Sequence, residues 1–268
     1  METEGRGSAD GVTAVRYLGP TSTGYCRPQI FECDDGLSYV VKFLSNPQGL
    51  RILPNEWWAY RLGSSLGLPI VKSEKVYLPE ELIDLPQFAE FQLQAGPHYG
   101  SRYLVEHTLC TTMEKVARCV NLDLVPLMIA FDYWINNNDR YASNRNLLIE
   151  KGEVWQLRMI DHGSCFCGAG WTVKTLNANA ERVQPYWGEL YQRLVSFVDE
   201  KQMFEEAIAR LEALPDCQIA DAIQSDVPEE WAVTPEEKEA LVHFLLTRKP
   251  FVRAAIHSVI PLMKGGQG

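Results

Sequence analysis

The sequence predicts an α+β fold in two lobes, a small strand-rich one over residues 12–105 and a mostly helical one over residues 106–264, behind a disordered tail at 1–11. Three observations predict it. Short runs rich in β-branched and aromatic residues, punctuated by Gly, Pro, Asn and Asp, fill the first part. One long segment there carries apolar residues at helical spacing. Beyond about residue 120 the helical period dominates, interrupted by a single hairpin pattern. No internal repeat or low-complexity linker separates the halves, so the expectation is one bilobal unit.

The elements follow in order. Val12 to Tyr17 is a first strand, closed by a Gly-Pro-Thr-Ser-Thr-Gly turn at 19–24. Pro28 to Cys33 and Ser38 to Leu44 are the next two, joined across Asp34-Asp35-Gly36, a hairpin signal. A helix spans about Leu53 to Leu66, stopped by Gly67 and Pro69, with Trp58, Leu62 and Leu66 on its buried face. Val71–Tyr77, Gln87–Leu93 and Arg102–Val105 read as strands, and Gly96–Gly100 as a loop. Leu122 to Asn136 is helical. A hairpin over 146–160 turns at Lys151-Gly152, and amphipathic helices run over Gly188–Leu214 and Pro235–Met263, the second broken at Pro250.

Composition excludes several classes. A net charge of −10 argues against a nucleic-acid or anionic-membrane binder, which needs basic surface to displace counterions. No run of 18 apolar residues exists to span a bilayer, and the polar N-terminus lacks the apolar core of a signal peptide. Seven cysteines without paired metal-ligand spacing read as reduced thiols in a cytoplasmic protein.

Chemistry concentrates between Asp132 and Phe166. Asp139, Asn144 and Asp161 stand in D-x₄-N-x₁₆-D order around the hairpin. Mg²⁺ is bound through one or two carboxylates plus substrate phosphates. Asn144 and Asp161 supply such oxygens, and a carboxylate at Asp139 can orient an attacking hydroxyl and accept its proton. Each alone reads more readily as a turn or cap residue; the joint pattern favours chemistry. Lys42, in an apolar strand, needs an anionic partner, and Glu56 near the start of the helix can supply it. The alternatives are an edge lysine reaching to solvent and an acid in a first helical turn. Thr21, Ser22, Thr23 and Gly24 lie in a turn whose amides and hydroxyls can cover phosphates, a weak signal alone. His162 reads as a core or turn residue.

These residues carry a resemblance. Asp139-Arg140 with Asn144, then Ile160-Asp161-His162-Gly163, is similar to the signature shared by HipA-like kinases and phosphoinositide kinases. With VVKF at 40–43, NPQGLRILPNEWWAYRLGSSLGLP at 46–69 and PHYGSRYL at 97–104, the chain resembles the compact bacterial HipA-like kinase domain over about residues 12–170. The resemblance implies a protein-kinase-like fold with ATP between the lobes and a protein serine or threonine as acceptor. By position, Lys42 contacts the nucleotide phosphates and Glu56 pairs with it. Asp139 is the catalytic aspartate, and Asn144 and Asp161 hold Mg²⁺. The Thr21–Gly24 loop covers the phosphates, and the connection around Tyr103 and Val105 faces adenine. Ser164, Thr172 and Thr175 fall where an activation segment would lie. A lipid or small-molecule kinase, a nucleotide-binding pseudokinase and AMP transfer remain alternatives.

Overall fold

The computed structural model describes residues 11–21, 27–110, 112–140, 146–184, 189–198 and 200–264. Strands β1 (Val12–Pro20), β2 (Gln29–Cys33) and β3 (Ser38–Lys42) form an antiparallel meander. Helix α1 (Ile52–Ser65) follows, then β4 (Ser73–Leu78), a short α2 (Glu80–Ile83) and β5 (Gly96–Arg102). β5 lies between β3 and β4, and β1 pairs with β4 in parallel at Val12↔Val76, which closes the five strands into a barrel in the order β1-β2-β3-β5-β4.

Four sequence expectations fail here. Gly96–Gly100 is a strand, not a loop. Its Gly-Pro content signals a break, but each exception has a tertiary cause. The carbonyl of Pro97 accepts the indole N–H of Trp231 at 2.8 Å, outside the ladder, so the missing N–H of Pro97 costs the sheet no bond. A Cβ on Gly100 would sit 2.4 Å from Cγ2 of Val76 on the neighbouring strand, so only glycine fits. Conversely Gln87–Leu93 is no strand: Pro86–Phe88 is a 3₁₀ turn followed by further turns. Its apolar residues pack as a plug, with Phe88 buried among Tyr17, Phe31, Phe43 and Phe91. The strand expected at Arg102–Val105 ends at Arg102, and Gly19-Pro20 extends β1 instead of turning.

Residues 103–106 lead from the barrel to a second, three-stranded antiparallel sheet, β6 (His107–Leu109), β7 (Leu147–Glu150) and β8 (Gln156–Met159). Between β6 and β7 come α3 (Met113–Val116) and α4 (Val125–Trp134); every residue of α4 is buried. After β8 come α5 (Val173–Asn179), α6 (Glu189–Val195), α7 (Glu200–Glu212), α8 (Asp216–Gln224), α9 (Pro235–Arg248) and α10 (Phe251–Lys264). The expected helix over 188–214 is thus two, and the break near Pro250 is present. No helix among the described residues is long and apolar enough to cross a membrane.

The apolar residues divide into two cores. Ala14, Phe31, Tyr39, Val41, Val76, Leu78 and Phe88 fill the barrel. Helix α1 belongs to the other: Trp58 and Leu62 pack with α4, β7, β8 and the C-terminal helices. Trp58 donates its indole N–H to the carbonyl of Ile223 in α8 at 3.1 Å. A helix encoded among the barrel strands is therefore built into the helical half.

Candidate active site

Three elements meet where β3, α1 and the end of β8 converge. Lys42, the last residue of β3, sends its ammonium to the carboxylate of Glu56 on α1 and, at 2.7 Å, to Oδ1 of Asp161. Glu56 is buried, and its two oxygens also accept the backbone N–H groups of His162 (3.0 Å) and Gly163 (3.1 Å). Asp161 adopts a left-handed backbone, φ 59°, a region that Asp tolerates better than most residues. Gly163 lets the following turn press onto α1, since a Cβ there would lie 2.9 Å from Cδ1 of Ile52.

The expected base, Asp139, sits in a 3₁₀ turn (Asn138–Arg140) after α4. The asparagine run builds this turn. Asn136 ends the helix at φ 54°. Asn137 donates its amide to Asp132 Oδ1 at 2.9 Å and accepts the N–H of Asp139 at 3.4 Å. Asn146, at the start of the hairpin, donates to Asp139 Oδ2 at 3.0 Å.

Below the site lies a sealed charge. Arg140 Nε meets Asp132 Oδ2 at 2.6 Å, with both side chains wholly buried. Tyr191 of α6 donates its hydroxyl to the same carboxylate. Arg140 also donates to the carbonyls of Asn146 and Ile160, tying the turn to both ends of the hairpin. Its Nη2 faces His162 Nε2 at 2.9 Å, so that nitrogen accepts and the neutral ring carries its proton on Nδ1.

The electrostatics separate the carboxylates. Asp161 is held below the usual carboxylate range, chiefly by the Lys42 ammonium. Asp139 is pushed up, first because neighbouring groups strip water from its carboxylate and then because Asp161 repels a second negative charge. Burial raises Glu56 against the pull of Lys42. Burial, and then the Arg140 charge, hold His162 well below its ordinary value.

Lys42, Glu56 and Asp161 are thus brought into contact, and Asp139 lies close enough to feel both Lys42 and Asp161. Tyr103 and Val105 lie in the connection from β5 to β6; Tyr103 donates its N–H to Ser38 at the opposite end of β3 from Lys42, at 2.7 Å, and Val105 is 82% exposed. Thr21 closes the base of the β1–β2 loop through its N–H and hydroxyl, both donated to the carbonyl of Pro28. Ser22, Thr23, Gly24 and Asn144 lie outside the described residues. The sequence reading missed Asn55, Asp132, Arg140, Asn146 and Tyr191 as parts of the site's support. The available signals were an arginine and an aspartate inside apolar surroundings, which demand partners.

Comparison with known proteins places the chain. A family model for HipA-like kinases matches residues 14–251, and the chain belongs to that family. Among solved structures, its fold is similar to a Helicobacter pylori proinflammatory kinase, CtkA, with a TM-score of 0.60, 14% identity, and 92% of this chain and 96% of that one covered. It also aligns with the Golgi casein kinase (TM-score 0.48, 11% identity, 93% of this chain and 72% of that one) and with the same kinase bound to Mn/ADP (TM-score 0.43, 10% identity, 90% and 72%). Comparison with curated proteins gives no match. Family and fold together define a kinase-like phosphotransferase of mixed α+β architecture.

Proposed function

We propose that the chain transfers phosphate from ATP, with Mg²⁺, to a serine or threonine of a protein. The barrel with its approach strands (12–105) and the helical half (106–264) act as two lobes around the nucleotide. The observation that carries the reading is the contact of Lys42 with Glu56 and Asp161, with Asp161 and Asp139 pushed in opposite directions. Asp161 is kept ionised, as a cation ligand must be, while Asp139 is shifted toward the range of a useful proton acceptor.

The donor set suits Mg²⁺. The described residues contain no group of three or more His, Cys, Asp or Glu that would cage a metal. A magnesium site completed by substrate phosphates needs only one or two carboxylates. The Asp161 side chain is 42% exposed, so it has a solvent-facing oxygen to offer. Asp161 and Asn144 would hold the ion, which when bound neutralises phosphate charge.

The chain's own residues do the rest. Lys42, steadied by Glu56, meets the phosphates. Asp139, fixed by Asn146 and by the Arg140 anchor, orients the acceptor hydroxyl and takes its proton. Tyr103 and Val105 flank the adenine end, about 13 Å along β3 from Lys42 at the usual rise per strand residue. The Thr21–Gly24 loop covers the phosphates. Burial favours free thiols at most described cysteines, in keeping with a cytoplasmic setting.

The test is transfer of label from γ-³²P-ATP to a protein extract, run beside α-labelled ATP, lipid vesicles and a chelator. Protein label from the γ-position alone, lost on chelation and in Asp139→Asn and Asp161→Asn, is expected. Label from the α-position would mean AMP transfer, label in lipid a lipid kinase, and full turnover by both variants would sink the site assignment.

A further inference from the structure

Asn55 takes no part in the chemistry proposed above, yet it is fully buried and its amide is fully used. Its Nδ2 donates toward the carbonyls of Gly163 (2.7 Å), Cys165 (3.2 Å) and Gly168 (3.3 Å). Its Oδ1 accepts the indole N–H of Trp171 at 2.9 Å. One amide orientation satisfies this set. An indole nitrogen only donates, so Oδ1 must face Trp171 and Nδ2 the carbonyls.

The next residue reads the same turn with opposite polarity. Glu56 accepts the N–H groups of His162 and Gly163, while Asn55 donates to the carbonyls that follow. Two consecutive residues of α1 therefore grip one segment by its amides and its carbonyls. Moving that segment off the helix would orphan these buried groups. The segment opens with the left-handed Asp161, a conformation that persists only when the surroundings enforce it. Helix α1 is itself fixed to the C-terminal helices and the turn that follows α8. Trp58 is bonded to Ile223, Arg61 donates to the carbonyl of Ser225 at 2.7 Å, and Arg51 is paired with Glu237 of α9.

We propose that Asn55 is a positioning residue for binding of the Mg²⁺–nucleotide complex: by pinning residues 163–171 to α1 it holds the Asp161 carboxylate at Lys42. The proposal rests on the phosphotransferase reading. It makes the polar support of Asp161 a property of helix α1 itself.

The experiment is calorimetric titration of the full chain with ADP, with and without Mg²⁺, beside steady-state kinetics. Asn55→Asp keeps the acceptor for Trp171 but loses both donors and sets a carboxylate against three carbonyl oxygens. Metal-free ADP binding is expected to stay within about twofold of the parent, while the tightening caused by Mg²⁺ and kcat each fall about 10- to 100-fold, the range seen when groups supporting a metal ligand are removed. Trp171→Phe leaves the donors but frees the amide to turn, and shows the same signature at about 3- to 10-fold; it decides the matter if Asn55→Asp does not fold. A folded variant that keeps the Mg²⁺-dependent tightening, or that weakens metal-free and metal-bound binding equally, overturns the role of Asn55. A parent protein whose ADP binding ignores Mg²⁺ overturns the phosphotransferase reading and this proposal with it.

Discussion

Two clusters of charge lie beside one another and are built oppositely. Lys42, Glu56 and Asp161 form an open cluster whose last carboxylate is 42% exposed. Asp132, Arg140 and Tyr191 form a closed one in which the ion pair has no exposure at all. In the closed cluster each charge is neutralised where it sits, and further guanidinium donors go to the carbonyls of Asn146 and Ile160 and to the His162 ring. In the open cluster Lys42 is shared between two acids: its charge holds Asp161 down while burial raises Glu56, and their affinities for protons part. The difference separates a scaffold from a site. A buried, charge-paired cluster fixes geometry, whereas a polarised cluster with one face to solvent has capacity left for a ligand. Arg140 and His162 join the two, so the scaffold's geometry is passed directly to the residues flanking Asp161.

That contrast can be broken experimentally. The largest effect belongs to the open cluster: Asp161→Asn or Asp139→Asn is expected to lower the transfer rate by at least about a thousandfold with little change in the urea midpoint. Because Asp139 is raised, the rate of the parent enzyme should fall with acid at a higher pH than an ordinary aspartate would give, as the base becomes protonated; a pH–rate profile checks this. In the closed cluster, Arg140→Met leaves Asp132 buried without its counter-charge, and about 3–5 kcal/mol of stability should be lost in urea denaturation. A loss of activity without that loss of stability would merge the two clusters into one.

A fourth prediction concerns a histidine outside both. His98 Nδ1 accepts the N–H of Leu44, so its Nε2 donates to the carbonyl of Gln94, and burial pushes its pKa down to about 4. The unfolded chain binds this proton from about pH 6.5 downward while the folded chain refuses it until about pH 4. Stability is therefore whole above pH 6.5 and drains away as pH falls between those values, by about 2 kcal/mol at pH 5. His98→Gln should flatten that part of the stability–pH curve relative to the parent. The smallest effect is expected at Thr172, whose hydroxyl caps α5 in a reciprocal box with Thr175. Thr172→Ala should cost about 1 kcal/mol and leave turnover unchanged; a large fall in rate would instead mark the hydroxyl as a switch.

Much of the architecture was legible because it is written locally. The hairpin signals at Asp34–Gly36 and Lys151–Gly152, the helical period of α1 and α4 and the break at Pro250 all act within a few residues. So was the suspicion of Lys42: a lysine in an apolar strand has to find an anion. What escaped is written across long distances. The closure of β1 onto β4 is a parallel pairing that neither strand announces. Gly96–Gly100 looks like a loop until Val76 and Trp231 supply the reasons for its glycine and proline. Gln87–Leu93 has the composition of a strand but serves as an aromatic plug. Asn55 sits beside Glu56 in the sequence and looks like an ordinary helical asparagine, because its partners lie more than a hundred residues away.

The placement of α1 also bears on how the chain is made. Trp58 waits for a carbonyl 165 residues further on, an interval of roughly 10–30 s at ordinary rates of synthesis. Throughout that time the barrel strands on either side of the helix can pair, while the indole N–H of Trp58 lacks the carbonyl that will accept it. A ribosome paused before α8 would hold out a finished barrel joined to a helical half that lacks α8, α9 and α10, and the apolar surface those helices cover is the kind that chaperones bind and neighbouring nascent chains stick to.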